Sequence, residues 1–228
     1  MSQEIIPVYF VPGLAAGREI FKHIELPPDR FRVQILEWKI PEVKESIEDY
    51  ARRMAADVKE DHAVLIGVSF GGVMVQEMKA FLNLRKLIII SSVKSKYELP
   101  TRLRIARKTM AYKLVPTKLV LGSDDLTKFA IGPKTKRRLE IYQEYLSVRN
   151  EKYLDWAIEK MVCWDRTEVD ESVVHIHGDK DLIFPIDKIK NCIIIKGGTH
   201  IMILNKFRWF NKHLPQLILD ETYSVNAS

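Results

Sequence analysis

Residues 63–72 read AVLIGVSFGG. Here an apolar block of strand length runs into a Gly-x-Ser-x-Gly pattern centred on Ser69, and a helical pattern follows from about Gly71 to Leu82. Glycines on both sides of a serine let a strand and a helix approach closely, because glycine has no Cβ atom. The stretch therefore predicts a strand, a sharp strained turn with the Ser69 hydroxyl at its tip, and a helix. A plain glycine-rich turn is the alternative, whereas a phosphate-binding loop fits poorly because no Gly-Lys-Ser/Thr follows.

Apolar, β-branched blocks of this kind recur along the chain and predict a sheet. Most are almost continuously apolar, as strands buried on both faces are in parallel sheets. Helical patterns lie between them: one around Ile47–Val58 begins with Ser46 and Asp49 in an arrangement that resembles a capping box, and the last covers about Ile201–His213. The alternation predicts an α/β protein with an open, doubly wound, mostly parallel sheet of about six strands. The predicted strands are Ile5–Phe10, Phe31–Leu36, Ala63–Val68, Lys86–Ser91, Ser172–His177 and Cys192–Ile195.

The stretch between the fourth and fifth predicted strands breaks this alternation. It contains helical segments and turn-like residues but no block that is typical of a buried strand. We therefore expect a core of residues 1–92 and 172–228, with a helical cap of residues 93–171 inserted into it. The helical segments are predicted at Thr101–Tyr112, Pro133–Ser147 and Glu151–Val162, and the turns between them at 122–125 and 131–133.

A serine hydroxyl is a weak nucleophile, so a nucleophilic Ser69 needs a base elsewhere in the chain. His200 is the candidate, because it follows a pair of glycines just after the predicted strand that ends at Ile195. Open α/β sheets build their sites at the carboxyl ends of their strands. The polar or helical surroundings of the remaining histidines outside the fifth predicted strand carry no such signal; these are His23, His62 and His213.

The group that would orient this base is expected in the turn after the fifth predicted strand, which contains Asp179 and Asp181. We take Asp181 as the acid, which would hold the His200 imidazole in one tautomer and stabilise its protonated form. Asp179 is expected to accept hydrogen bonds from backbone amides of the turn. Glu98, after the fourth predicted strand, is a remote alternative for the acid.

With Ser69, Asp181 and His200 in this chain order, the sequence resembles the α/β-hydrolase superfamily. The resemblance covers nearly the whole chain except the cap. It implies a catalytic triad in which Ser69 attacks the substrate, His200 moves the proton and Asp181 orients His200. It also implies an oxyanion hole of two backbone amides, which by position are those of Leu14 and Phe70.

The chain departs from the pattern of that superfamily in two places. Pro12-Gly13 stands where many members have His-Gly, which leaves the first oxyanion donor open among Leu14, Ala15 and a neighbour. The antiparallel strands that usually come first are not found ahead of the strand at Ile5. The resemblance therefore implies a minimal sheet of six strands.

Composition and charge limit the class of protein further. The 228 residues are 46% hydrophobic and include only two cysteines, which predicts one soluble unit that holds its own core without a disulfide framework. The net charge of +6 raises the question of an anionic partner, and the excess is local. Residues 94–140 carry +9 and the rest of the chain −3, for which a solvated helical face is a simpler interpretation than nucleic acid binding.

Membrane and secretion signals are not found in the sequence. No apolar run approaches the roughly 18 residues that a membrane span needs, and the N-terminal residues read as a strand rather than a signal peptide. We therefore expect no membrane span and a cytoplasmic location.

His175, His177 and Asp179 alternate in a pattern that resembles a metal-ligand cluster. Lys180 stands where a further histidine ligand would be expected, and the sequence offers no other ligand cluster. We therefore expect no metal and no cofactor, with His175 as a buried strand residue and His177 as a turn residue bonded to its own loop.

The sequence thus predicts a serine hydrolase that cleaves a carboxylic ester or related acyl compound of low molecular weight through an acyl-enzyme. The alternative is a non-catalytic or single-turnover binding protein with the same fold. Ester, thioester, lactone and carbon–carbon bonds are all substrates for such a triad, and a fold does not choose among them. Aromatic residues of the cap would roof the pocket or pack the cap on the core; they are Tyr112, Phe129, Tyr142, Tyr145, Trp156 and Trp164.

Overall fold

The structure, a computed structural model, describes residues 4–114 and 145–220, and these residues contain a six-stranded sheet. Every strand is parallel to its neighbours. The strands are β1 (Ile6–Val11), β2 (Phe31–Ile35), β3 (Ala63–Val68), β4 (Leu84–Ile90), β5 (Val174–Gly178) and β6 (Ile193–Ile195). They stand side by side in the order β2-β1-β3-β4-β5-β6, so the chain reverses its direction of progress across the sheet after β2.

Helices cover both faces of this sheet. Successive strand residues point to opposite faces, and β1 shows the result: Tyr9 packs in the core under the first two helices, whereas Phe10 packs in the core under the last helix. Both faces are therefore buried, which explains the continuous apolar strands. The helices are α1 (Ile47–Ala55), α2 (Phe70–Met78), α3 (Thr101–Thr109), α4 (Glu151–Cys163), α5 (Met202–Asn205) and α6 (Phe207–Leu219), with 3₁₀ turns at Arg18–Phe21, Lys79–Phe81, Ala111–Leu114 and Ile186–Lys188.

The predicted fold class is confirmed, and the strand predictions agree closely with the structure. β3 has the predicted bounds, and helix α1 begins as expected, with the Ser46 hydroxyl accepting a hydrogen bond from the backbone N–H of Asp49 at 3.0 Å. The end of the chain differs from the prediction. The single helix expected at Ile201–His213 is two helices, and the second continues through Pro215 because tertiary packing buries the apolar side chains that follow, such as Leu217.

The insertion between β4 and β5 is helical where the structure describes it. Residues 93–114 and 145–171 contain α3 and α4 and no strand. The turns predicted at 122–125 and 131–133, and the first twelve residues of the helix predicted at 133–147, lie outside the described residues. Within the described ranges, none of the helices is both long and apolar enough to cross a membrane.

Three backbones approach so closely around β3 and α2 that two positions require glycine. A Cβ atom on Gly67 would lie 2.2 Å from the carbonyl oxygen of Gly71, and a Cβ atom on Gly71 would lie 2.3 Å from that of Pro12. Both obstacles are backbone atoms, so no side-chain rotation can relieve the overlap. This packing brings the loop after β1 against the turn that carries Ser69.

We expect Gly71→Ala to lower the free energy of unfolding by at least about 2 kcal/mol, because the added methyl group must displace the backbone of β1 or α2. Gly13→Ala is the matched control, since its Cβ atom would meet nothing nearer than the Ser69 Cβ atom at 3.5 Å. Urea unfolding followed by circular dichroism measures both variants. Equal stability of the two would contradict the close packing described above.

Candidate active site

Ser69 lies at the tip of the turn between β3 and α2, in a backbone conformation that side chains rarely adopt. Its φ is 54° and its ψ is −118°. Two hydrogen bonds hold it there: the Ser69 N–H donates to the carbonyl of Ile90 at 2.9 Å, and the Ser92 hydroxyl donates to the carbonyl of Ser69 at 2.7 Å. The turn therefore has the strained backbone that the sequence predicts, and two residues at and just after the end of β4 fix its position.

His200 contacts both of the other predicted triad residues. Its Nε2 atom lies 2.9 Å from the Ser69 Oγ atom, and its Nδ1 atom lies 2.9 Å from the Asp181 Oδ2 atom. A carboxylate accepts hydrogen bonds, so Nδ1 carries the proton and Nε2 presents a lone pair to the serine hydroxyl. The three residues come from three separate carboxyl ends of strands and form one hydrogen-bonded series.

Asp181 is a buried carboxylate whose two oxygen atoms have separate partners. Oδ1 accepts hydrogen bonds from the backbone N–H groups of Ile183 and Phe184, at 2.8 and 2.9 Å, and Oδ2 accepts the bond from His200. Burial by itself would raise the pKa of Asp181, but the charge of His200 and these hydrogen bonds outweigh burial, so the pKa lies below its ordinary value. Asp181 is therefore held as a carboxylate.

The other two acid candidates have different surroundings. The partly buried Asp179 accepts a hydrogen bond from the backbone N–H of Gly197 at 2.6 Å, which is the turn-stabilising contact expected for it. Glu98 accepts hydrogen bonds from the backbone N–H groups of Lys94 and Lys190. Of the three acids, the structure brings only Asp181 to His200.

The two backbone amides predicted for an oxyanion hole lie beside the serine. Leu14 and Phe70 line the same cavity as Ser69. Phe70 is the first residue of α2, where N–H groups have no acceptor within the helix. Within residues 4–114 and 145–220, neither of these two N–H groups has a hydrogen-bond acceptor. The same holds for Ala15, so the choice of the first donor stays open.

Comparisons with known proteins agree on the architecture. No family model matches the chain, and no curated protein matches it. Solved structures match nearly its whole length. An esterase from Exiguobacterium antarcticum has a TM-score of 0.69 and 15% identity, and the match covers 96% of this chain and 94% of that one. A bromoperoxidase from Bacillus anthracis has a TM-score of 0.69 and 16% identity, with 95% of this chain and 92% of that one covered. The N-acyl homoserine lactonase AidH in complex with N-butanoyl homoserine has a TM-score of 0.64 and 16% identity, with 99% of this chain and 93% of that one covered.

These solved structures belong to the α/β-hydrolase superfamily. The chain has the α/β-hydrolase fold. Sequence identities of 13–18% establish the architecture alone, because one fold supports many activities.

The α/β-hydrolase fold forms a cavity of about 380 Å³ here, and Ser69 and His200 lie in its wall. Apart from His200, the only charged side chain among the lining residues that the structure describes is Arg102, at the start of α3. Arg102 donates to the carbonyls of Leu182 and Ile183, at 3.0 and 2.8 Å. The remaining wall is almost entirely apolar; it includes Leu14, Ile20, Leu103, Leu146, Leu154, Ile158, Met161, Val162, Ile183, Phe184, Ile201, Ile203 and Leu204.

The cap aromatics that the sequence singled out have different places in the structure. Tyr145 lines the cavity. Trp156 packs on the core, with its ring centroid 4.2 Å from that of Tyr50, and Trp164 donates to the Glu77 carboxylate at 3.0 Å. Tyr112 is partly buried, whereas Phe129 and Tyr142 lie outside the described residues.

Sequence reasoning missed most of the cavity wall, and one signal for it was available. Ile183, Phe184 and Ile201 directly follow Asp181 and His200 in the chain, in loops at the carboxyl ends of β5 and β6. Ligand sites of open α/β sheets lie at this edge, so apolar residues in such loops predict a pocket wall. The contribution of α3 and α4 depends on how the insertion folds over the sheet, which no local pattern reveals.

The histidines of the metal-like pattern bind each other. The Nε2 atom of His175 lies 3.1 Å from the Nδ1 atom of His177, and Asp179 is bonded to Gly197. Among the residues that the structure describes, no group of three His, Cys, Asp or Glu side chains is arranged to hold a metal ion.

The lowered pKa of Asp181 predicts how stability depends on pH. The unfolded chain binds a proton near the ordinary pKa of 3.8 and the folded chain only at lower pH, so this carboxylate stabilises the fold above pH 4 and the effect is lost as pH falls through the folded pKa. His200→Gln removes the charge that contributes most to the lowering. Wild type should therefore lose more unfolding free energy than His200→Gln between pH 5 and pH 3, measured by urea titration; parallel losses would contradict the assignment.

Proposed function

We propose that this protein is a serine hydrolase that cleaves a carboxylic ester or related acyl compound with an apolar, uncharged acyl group. The hydrogen-bonded series of Ser69, His200 and Asp181, with Ser69 and His200 in the wall of an apolar cavity, supports this proposal most directly. A serine becomes an effective nucleophile only when a base accepts its proton and a third group orients that base. Proteins with this fold include esterases and a lactonase, which is consistent with acyl chemistry.

In the first half of the proposed reaction, the Ser69 oxygen attacks the substrate carbonyl carbon while its proton moves to the Nε2 atom of His200. Asp181 remains ionised and stabilises the imidazolium that forms. The N–H groups of Leu14 and Phe70 would donate to the developing oxyanion, and each such donor is worth roughly 10² to 10³ in rate. The carbon–oxygen bond to the leaving group then breaks, and His200 returns its proton to the departing alkoxide.

In the second half, the acyl group is bound to Ser69 as an ester. His200 takes a proton from a water molecule, and the water oxygen attacks the acyl carbon. The bond to Ser69 breaks, the serine recovers a proton from His200, and a carboxylic acid leaves. The cycle consumes one water molecule and restores the starting protonation of every residue.

The cavity wall supports an apolar acyl group. Burying a charged carboxylate among apolar side chains is costly unless a cation pairs with it. Arg102 is the one candidate cation in the described wall, and its Nη2 atom already donates to two backbone carbonyls. An uncharged alkyl chain needs no such partner.

We propose that the insertion of residues 93–171 is a cap that sets specificity, because side chains of its two described helices line the cavity. Leu103 of α3 and Leu154, Ile158 and Met161 of α4 form part of the cavity wall. We therefore include the core of residues 1–92 and 172–228 and the cap of residues 93–171 in the proposal.

A fluorophosphonate probe tests the nucleophile, because it phosphonylates an activated serine. We expect wild type to be labelled and Ser69→Ala to be unlabelled, with equal circular dichroism spectra. Ser172→Ala, at an exposed serine just before β5, is a control for serine chemistry elsewhere and should still be labelled. Labelling of Ser69→Ala, or none in folded wild type, would refute the assignment.

Multiple-turnover assays with p-nitrophenyl esters separate a hydrolase from a single-turnover binding protein. A hydrolase releases many equivalents of nitrophenol per protein molecule, whereas the alternative stops at one. The turnover rate of a hydrolase should fall when any one of Ser69, His200 and Asp181 is replaced. Release of a single equivalent would favour the binding protein.

The charge of the acyl group is tested with matched esters. Each buried methylene contributes about 0.8 kcal/mol, so kcat/KM should rise up to roughly fourfold per methylene from p-nitrophenyl acetate to the butyrate. The hemisuccinate, which carries a carboxylate, should be at least roughly tenfold poorer than the butyrate. A hemisuccinate preference that Arg102→Gln abolishes would instead show an acidic substrate.

A further inference from the structure

Two buried histidines of β5 belong to the hydrogen-bonded group around Asp181, although the proposed reaction does not use them. His175 is 2% exposed and His177 is fully buried. They are two residues apart on one strand, so their side chains share a face. The Nε2 atom of His177 lies 2.8 Å from the carbonyl oxygen of Phe184 and 3.6 Å from the Asp181 Oδ2 atom.

The partners decide where the protons of this pair lie. The Phe184 carbonyl is only an acceptor, so His177 carries a proton on Nε2 and donates it. In a neutral imidazole the other nitrogen then accepts, so His175 must carry its proton on Nε2 and donate to His177 Nδ1, 3.1 Å away. Both rings are therefore Nε2–H tautomers.

The Nε2–H group of His177 binds the same loop that binds the Asp181 carboxylate. Asp181 Oδ1 accepts the N–H groups of Ile183 and Phe184, and His177 binds the carbonyl of the same Phe184. The Phe184 ring also packs edge-on against His200, at 5.4 Å between centroids. Displacement of Phe184 would therefore move the acid and the base together.

We infer that His177, oriented by His175, is a positioning residue that holds Asp181 against His200 by donating its Nε2–H to the carbonyl of Phe184. This inference rests on the proposed function of the triad. His177 touches neither substrate nor nucleophile, and it acts through Asp181.

The neutral state of the pair is part of this arrangement. A protonated His177 would place a second positive charge 3.6 Å from the Asp181 oxygen that stabilises His200, and would weaken that stabilisation. Burial lowers the pKa of His177 and lowers that of His175 well below its ordinary value, and the charge of the buried Lys94 adds to the effect on His175. The Nε2–H dipole of neutral His177 thus stabilises the Asp181 carboxylate without adding a positive charge that would compete with His200.

Two substitutions at one position separate positioning from packing. His177→Leu removes the donor, and we expect kcat for a p-nitrophenyl ester to fall roughly 10-fold to 100-fold, as for other small displacements of catalytic groups, with KM nearly unchanged. His177→Gln places an amide N–H the same number of bonds from the backbone as the imidazole Nε2–H and should recover most of the loss. Ile176→Val on the opposite face of β5 is the packing control and should keep wild-type kcat.

Nuclear magnetic resonance tests the same inference without any turnover, so its result is independent of the proposed function. Histidine ¹⁵N shifts should show Nε2–H tautomers for His175 and His177 in wild type. The downfield proton resonance of His200 Nδ1–H, which reports the bond to Asp181, should shift or broaden in His177→Leu and persist in His177→Gln.

Three results would overturn the inference: an Nδ1–H tautomer at His177 in wild type, wild-type kcat in folded His177→Leu, or a kcat for His177→Gln as low as that for His177→Leu. Should His177→Leu fail to fold, the inference is still tested by the wild-type tautomers and by the kcat of His177→Gln compared with that of wild type. A protein that fails the fluorophosphonate test but shows the expected tautomers and His200 resonance would refute the hydrolase proposal and leave the positioning of Asp181 intact.

Discussion

The active-site geometry depends on one packing constraint, the contact between the Ser69 turn and the backbones on either side of it. Gly71 packs against the carbonyls at the end of β1, and Gly67 packs against α2, so strand, turn and helix have almost no freedom to separate. The positive φ of Ser69 is strained, and this surrounding packing is what maintains it. The same packing brings the loop after β1 against the Ser69 turn, so one feature positions Ser69 and the proposed oxyanion donors that line the same cavity.

A second constraint is the burial of a carboxylate. Asp181 is almost fully buried, and a buried charge is tolerated only when hydrogen bonds and an opposite charge compensate it. Backbone amides, His200 and the nearby His177 supply that compensation, so the partners that stabilise the fold are also those that hold Asp181 against His200. Stability and proposed chemistry therefore depend on the same few hydrogen bonds.

Several basic residues of the insertion bind other parts of the chain, although the net charge of +6 raised the question of an anionic partner. Where the structure describes it, Lys94 is buried and bonded to a backbone carbonyl, Arg102 binds two carbonyls beside Asp181, and Arg107 contacts the carbonyl of Trp164 and the Asp165 carboxylate. These three cations serve contacts within the chain. Among the residues that the structure describes, Arg102 is the one lysine or arginine in the cavity wall.

Local sequence was enough to predict the sheet and the Ser69 turn, because strand burial, glycine sterics and the order of elements leave marks at short range. The choice of Asp181 over Asp179 as the acid stays a prediction, although the structure brings only Asp181 to His200. The bonding of His175 to His177 was not predictable from local sequence, nor was the role of Arg102 or the cavity wall built from α3 and α4. The contacts of Arg102 and of the cavity wall join residues far apart in the chain. His175 and His177 are close in sequence, but the residue type alone does not show whether a histidine is a turn residue, a metal ligand or a buried hydrogen-bond donor. Only the tertiary structure, which fixes distances and burial, decided among these roles.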